Sequence, residues 1–180
     1  GVRPAVQQML ALFSQYEIHA TWAAVGFLFC SDKEELVRYA QRVQEPLYSN
    51  KNLSNYPLIK SIGEDHISDP FHFGSDVIDV IKQHPNQEIG SHTFAHYYCL
   101  EPGASEQTFA SDLQAAIAIA AAKGFFIKSI VFPRNQFSNA YLQICQQNGI
   151  IAYRGVESHW LYKSLNAGGQ HFLRRLGRLL

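Results

Sequence analysis

Two histidines stand four residues apart in the segment EIGSHTFAH, directly after a short predicted strand. In a helical turn, that spacing brings the imidazoles of His92 and His96 to one side. Two neutral imidazoles suit Zn, Fe, Co or Ni, and a carboxylate could complete a site with open coordination positions. The alternative interpretation is one surface histidine and one histidine satisfied by a core hydrogen bond. The position after a strand, with Thr93 beside His92, favours the metal site.

A second polar turn follows the hydrophobic segment SIVF and consists of Pro133, Arg134, Asn135 and Gln136. A rigid turn that carries a cation can orient a carboxylic acid or bind a sugar or a carboxylate. The alternative is an ordinary loop with a solvated arginine. Arg134 is the candidate for a functional role in this turn.

Residues 44–74 interrupt the order of helices and strands with Asn, Ser, Pro and Tyr, and we interpret them as a long insertion loop. A loop of this length inside a compact domain is often functional. It contains Asp65, His66, Asp69 and His72, which could fold over the histidine pair and supply a ligand or a substrate contact. The alternative is a polar loop that caps the helix predicted from Ser75.

Aromatic residues flank the predicted ends of strands, and aromatic faces commonly stack on sugar rings. The residues concerned are Tyr97, Tyr98, Trp160 and Tyr162. Burial in the core is the default interpretation of such residues. We predict Trp160 as the exception that contacts substrate.

The elements that must position these residues alternate between helices and strands. Helices are predicted from Pro4, from a capping box of Ser31 and Glu34, from Ser75, from Ser105 to Gly124 and over 138–148. Strands are predicted over 19–26, 88–91, 125–132 and 150–153. Helices between successive strands indicate a parallel sheet or barrel, in which chemistry collects at the carboxyl ends of the strands.

Composition excludes several classes of protein. The chain has 180 residues, the size of one domain, and with 47% hydrophobic and 17% charged residues it is not intrinsically disordered. Its 15 basic and 15 acidic side chains give zero formal net charge, which argues against nucleic-acid binding. No apolar run approaches the ~20 residues of a transmembrane helix. Three widely spaced cysteines argue against a disulfide scaffold and favour a reducing compartment such as the cytoplasm.

Three segments together resemble the polysaccharide deacetylases, the NodB-homology group of carbohydrate esterase family 4. HTFAH matches the family's H-(S/T)-x-x-H metal motif, and HATWAAVG is similar to the strand before its first connecting helix. FPRNQ falls where the family has its third motif, with Pro and Arg in the reverse order. The similarity extends over most of residues 1–155. It implies a distorted (β/α) barrel of about seven strands and a metal-dependent hydrolase that removes acetyl groups from sugars.

The resemblance also implies roles for individual residues. His92 and His96 would ligate a divalent metal, zinc first, with cobalt, iron or nickel as alternatives. Thr93 takes the position of the motif's hydroxyl residue, and we predict it, with Trp160, to contact the carbohydrate substrate. Arg134 matches the arginine that orients the catalytic carboxylate.

The family's first motif, which supplies the base and the third metal ligand, should precede Gly1, and its last motif has no match after Leu161. We therefore expect residues 1–180 to be one deacetylase-like domain truncated at both ends. Two other functions stay open: a catalytically inactive carbohydrate-binding domain that keeps the barrel, or a metal hydrolase acting on another C–N bond.

Overall fold

The computed structural model describes residues 1–156, which form five α-helices and a parallel sheet. The helices are α1 (Val2–Gln15), α2 (Lys33–Ala40), α3 (Ser75–Lys82), α4 (Glu106–Ala122) and α5 (Asn139–Gln147). The strands are β1 (Ala20–Ala24), β2 (Gln87–Ser91), β3 (Ser129–Ile130) and β4 (Ala152–Tyr153). The predicted α/β class with a parallel sheet is confirmed. No helix in this part of the chain is long and apolar enough to cross a bilayer.

The four strands lie side by side in chain order, β1-β2-β3-β4. One row of paired residues crosses the sheet at its carboxyl edge: Ala24, Ser91, Ile130 and Tyr153. Parallel strands end together in this way, so the loops that follow them meet at one edge. Four strands are described within residues 1–156, and the barrel of about seven strands stays a prediction.

Helix α4 packs against helices α2 and α5 and begins as the sequence predicts. The Ser105 side chain accepts a hydrogen bond from the Thr108 backbone N–H, and the Thr108 side chain accepts one from Ser105 N–H, a complete capping box. The buried face of the helix carries Phe109, Leu113, Ala116, Ile119 and Ala120. Gly124 ends the helix with φ at +78°, a conformation that glycine adopts without strain.

The cap of helix α2 lies one residue later than predicted. Asp32, not Ser31, takes the capping position, and its carboxylate accepts a hydrogen bond of 2.7 Å from Glu35 N–H. The Glu35 carboxylate in turn accepts one of 2.8 Å from Ser31 N–H. Aspartate outcompetes its neighbour here because its carboxylate also interacts favourably with the positive end of the helix dipole.

The predicted strand over 125–132 is wrong in its extent, since only Ser129 and Ile130 pair in the sheet. Phe125 N–H still bonds to the Ala120 carbonyl at the end of α4. Burial nevertheless alternates in this segment, with Phe125 and Ile127 inside and Phe126 85% exposed. The side chains of this segment therefore alternate between buried and exposed as in a strand, but the first half of the segment pairs with no neighbouring strand among the described residues.

Between α2 and α3 the chain forms short 3₁₀ turns, at Lys51–Leu53 and Tyr56–Lys60, within the segment predicted as an insertion loop. Backbone hydrogen bonds fasten this segment to the rest of the fold at both ends. Leu47 N–H donates to the Gly103 carbonyl over 3.1 Å, and Lys33 N–H donates to the Glu64 carbonyl over 2.8 Å. The segment is thus held close to the carboxyl edge of the sheet, where the histidine loop lies.

Candidate active site

The histidine pair lies on a tight loop that leaves the carboxyl end of β2. Its backbone has two residues in the left-handed region, Thr93 at φ +65° and His96 at φ +60°. A β-branched residue in that region is strained, and strain of this kind clusters at functional sites. The loop keeps this shape because side chains from several elements hold its backbone.

Thr93 ties the loop together from inside. It is fully buried, its hydroxyl donates to the His92 carbonyl over 2.6 Å, and the same oxygen accepts from Tyr97 N–H over 2.7 Å. Its own N–H donates to the Ser91 hydroxyl. Thr93 therefore holds the histidine loop in shape, and its predicted contact with substrate stays a prediction.

Asp112 holds the middle of the same loop from helix α4. Its two carboxylate oxygens accept hydrogen bonds from Phe94 N–H at 2.6 Å and from Ala95 N–H at 3.1 Å. Complete burial raises the Asp112 pKa to about 7, although these two donors and the nearby Tyr56 hydroxyl oppose the rise. The Tyr56 hydroxyl has no hydrogen bond of good geometry within the described chain. Sequence reasoning missed Asp112, whose signal is an acid on the buried stripe between Phe109 and Leu113.

The imidazoles of His92 and His96 lie against each other, and a hydrogen bond fixes the tautomer of His92. The His92 Nδ1 atom lies 2.7 Å from the Val131 carbonyl oxygen, which can only accept, so Nδ1 carries the proton. This leaves Nε2 with its lone pair, the state in which histidine binds a metal. The ring centroids of His92 and His96 are 4.7 Å apart, with the planes inclined by 65°.

Both histidines favour the neutral form that ligation requires. Burial lowers the pKa of His92, and the positive charge of Arg154 adds to the shift. The His96 pKa falls to about 4, first because of burial and then because of His92 and Arg134. Two neutral imidazoles therefore lie side by side at neutral pH.

A metal site also needs further ligands. Within residues 1–156, no three His, Cys, Asp or Glu side chains come together in a way that would hold a metal ion. The histidine pair thus fits half of the ligand set of a divalent metal. The third ligand expected from the family resemblance has no counterpart beside the pair in this part of the chain.

Arg134 lies at the end of a row of rings that begins at the histidines. The His96 ring is 5.0 Å from the Tyr98 ring, and the Arg134 guanidinium lies 4.3 Å from the centre of that tyrosine ring. Arg134 Nη1 is 3.3 Å from the Glu101 carboxylate, which also accepts from Gln136 Nε2. The structure therefore brings the predicted arginine to the histidine site, together with Tyr98 and Glu101. Its catalytic role stays a prediction.

A second arginine, which sequence reasoning missed, follows β4. Arg154 Nη2 donates to the Asn135 side-chain oxygen over 3.0 Å, so the loops after β3 and β4 are joined beside the histidines. Arg154 follows a short and exposed strand, and this gave no signal in the sequence. The other predicted substrate contact, Trp160, lies outside the described residues.

The insertion brings one of its four polar candidates to the site. His72 and His96 line the same cavity, of about 250 Å³. The side chains of Asp69 and His72 are hydrogen-bonded, with Asp69 Oδ2 and His72 Nδ1 2.8 Å apart. Asp65 instead closes its own turn through Ser68, and His66 is not among the residues that line the cavity.

Comparison with known proteins places the fold. No protein-family model matches the sequence, and no curated protein matches it. Among solved structures, the chain is similar to BA3943, described as a CE4 family pseudoenzyme from Bacillus anthracis, with a TM-score of 0.50 and 15% identity. The match covers 86% of this chain and 39% of that one. A BA3943 mutant described as having restored enzymatic activity matches with the same TM-score, over 84% and 40% of the two chains.

At 15% identity the similarity shows a shared fold. The chain therefore has a deacetylase-like fold, and it spans about two fifths of the length of the solved protein.

Proposed function

We propose that this chain carries the metal-binding histidine pair of a metal-dependent carbohydrate deacetylase. The observation that supports this best is the His92 imidazole, whose Nδ1 is bonded to the Val131 carbonyl while its ring packs against His96. Backbone carbonyls commonly orient ligating histidines in this way, because the bond fixes the proton on Nδ1 and leaves Nε2 to bind the metal.

The bound ion is a divalent metal, zinc first, with cobalt, iron or nickel as alternatives because imidazole suits all four. When present, such an ion polarises a carbonyl group and makes water a better nucleophile near neutral pH. His92 and His96 hold it through their neutral rings. Arg134 supplies a fixed positive charge beside the site, suited to a carboxylate or to an oxygen that gains negative charge.

The substrate is an N-acetylated amino sugar or another acylated polysaccharide. This assignment depends on the deacetylase-like fold and on the HTFAH motif, since the fold alone does not identify a substrate. Hydrolysis of another C–N bond would use the same histidine pair on a different substrate.

A catalytically inactive carbohydrate-binding domain is the second candidate. It is favoured by the absence of a third metal-ligating side chain beside the histidines within residues 1–156. It also agrees with the description of BA3943 as a pseudoenzyme.

Acetate release separates the two candidates. The zinc-supplemented protein is incubated with tetra-N-acetylchitotetraose, and His92→Ala and His84→Ala are assayed beside it. His84 is a matched control, because it is also partly buried and its Nδ1 also contacts a backbone carbonyl, that of Val80 at 2.9 Å. The proposal predicts acetate release that His92→Ala lowers by about 100-fold or more and His84→Ala leaves unchanged. Oligosaccharide binding without acetate release would support the binding domain instead.

A further inference from the structure

A histidine–aspartate pair lies in the insertion, and its histidine lines the same cavity as His96. The Asp69 carboxylate is 15% exposed, and its Oδ2 atom accepts from both Gly63 N–H, at 2.9 Å, and His72 Nδ1, at 2.8 Å. The Gly63 hydrogen bond is the main cause that lowers the Asp69 pKa, so this side chain is an anion at neutral pH. The anion holds the proton on Nδ1 of His72 and leaves Nε2 as the reactive nitrogen.

The segment that carries the pair is fixed to the fold. Lys33 N–H donates to the Glu64 carbonyl, and Lys33 Nζ donates to the Ile62 carbonyl over 3.0 Å. Asn55, from the same insertion, donates to the Ala95 carbonyl in the histidine loop over 3.0 Å. A direct hydrogen bond therefore joins the insertion to the histidine loop. This attachment gives His72 the defined position that catalysis requires.

The cavity that His72 and His96 line is mainly apolar. Its walls include Phe27, Leu58, Ile59 and Ile62, and its polar lining residues are Asn55, His72 and His96. An apolar pocket of about 250 Å³ with a few polar groups suits a small acyl group better than the hydroxyl groups of a sugar. His72 is 47% exposed, so its ring is also open to incoming substrate and water.

We propose that this cavity receives the acyl group of the substrate and that His72, oriented by Asp69, is the acid–base residue that faces it. The assignment rests on the proposed function. Asp69 acts through His72 and is a positioning residue. This proposal gives a role to His72 and Asp69, two of the four candidate residues that the sequence analysis singled out in the insertion.

The His72 imidazole both accepts and donates the proton that the reaction transfers. Neutral His72 takes a proton at Nε2 from water as the water oxygen bonds to the acyl carbon. The imidazolium then gives that proton to the leaving nitrogen as the C–N bond breaks. The products are a carboxylic acid and an amine, and His72 returns to its neutral form, with no oxidant or reductant involved.

The test compares His72→Gln with His66→Gln, a neighbour in the same segment that does not line the cavity. Zinc content, and acetate release from tetra-N-acetylchitotetraose and 4-nitrophenyl acetate, are measured for both. We expect His72→Gln to lower kcat on the N-acetyl probe by about 100-fold or more, with unchanged zinc content. The loss on the aryl ester is smaller, because nitrophenolate leaves without a proton. His66→Gln matches the wild type.

A second readout needs no turnover. Nitrogen NMR of the metal-free protein shows the His72 proton on Nδ1, and Asp69→Asn moves it toward Nε2 while lowering kcat by about tenfold. Equal kcat in His72→Gln and wild type, or a wild-type His72 protonated on Nε2, overturns this assignment and leaves the proposed function standing. A wild type that hydrolyses neither probe overturns both.

Discussion

The backbone N–H of Phe94 donates a hydrogen bond of 2.6 Å to the carboxylate of Asp112, eighteen residues away on helix α4. Phe94 lies between the two histidines in sequence and is itself fully buried. The loop that carries the proposed metal ligands is thus fixed by a carboxyl group inside the core. A buried carboxylate is unfavourable unless it is fully hydrogen-bonded, so the loop and Asp112 stabilise each other.

Asp112→Asn is expected to destabilise the fold by about 1–3 kcal/mol, because an amide puts an N–H₂ group where one of two backbone donors needs an acceptor. Denaturant unfolding measures the change. The exposed Asp79→Asn on helix α3 is the matched control and should leave the free energy of unfolding within about 0.5 kcal/mol. Equal stability of the two variants would show that the carboxylate does not hold the loop.

The same carboxylate predicts a pH dependence. Its folded pKa of about 7 lies above the usual aspartate value of 3.8, so between these pH values the folded state binds more protons than the unfolded state. The contribution of Asp112 to stability therefore falls as pH rises from about 4 to 7. The free energy of unfolding of wild type minus that of Asp112→Asn, measured across this range, should decrease. A difference that stays flat or increases would contradict the buried site.

Gly26 packs directly against the histidine loop. A Cβ atom at this position would lie 2.5 Å from Phe94 Cδ2 and 2.8 Å from Phe94 Cα. We expect Gly26→Ala to lower the free energy of unfolding by about 1–3 kcal/mol, since neither contact can relax without moving the loop. Gly155→Ala, whose nearest contact is 3.9 Å away, is the control for thermal unfolding. Equal melting temperatures of the two variants would rule out this close approach.

His96 should remain neutral far below the pH at which an ordinary histidine gains its proton. NMR titration of the metal-free protein is expected to give a pKa of about 4 for His96. Because Arg134 is one cause of the shift, Arg134→Gln should move this pKa upward. Arg38→Gln on helix α2, an exposed arginine, should leave it unchanged. A His96 that titrates near 6.5 in the wild type would contradict its burial beside Arg134.

The three cysteines should be inert in the folded protein. Cys30, Cys99 and Cys145 are all buried and unpaired, and burial raises the pKa of Cys30 and Cys145 to about 12 and that of Cys99 well above its usual value. Iodoacetamide at pH 8 is expected to label no cysteine in the native state and all three in denaturant, because the thiolate is the reactive form. Rapid labelling of native protein, followed by mass spectrometry, would contradict this.

The order of elements was predictable because local patterns agree with the fold. Ser105 and Gly124 mark the two ends of α4, and the apolar stripe between them is buried. The segment from Phe125 shows the limit of such reasoning. Alternating burial predicts an extended chain, but pairing depends on a neighbouring strand that the local sequence does not reveal.

The site was predictable in part for the same reason. The spacing of His92 and His96 after a strand was sufficient to place two rings together. Asp112 was not predicted, because its function depends on hydrogen bonds to backbone atoms of a distant loop. The partnership of Asp69 with His72 is local, but their approach to the His96 cavity depends on how the insertion folds back over the sheet edge.

Metal content per chain tests the central claim most directly. The wild type, His92→Ala and the control His84→Ala are purified with zinc, dialysed and measured by inductively coupled plasma mass spectrometry. The histidine pair predicts about one zinc ion per chain in the wild type and in His84→Ala, and loss of that ion in His92→Ala. A wild type that takes up no zinc, or a His92→Ala variant that keeps it, would contradict the metal site and the deacetylase proposal with it.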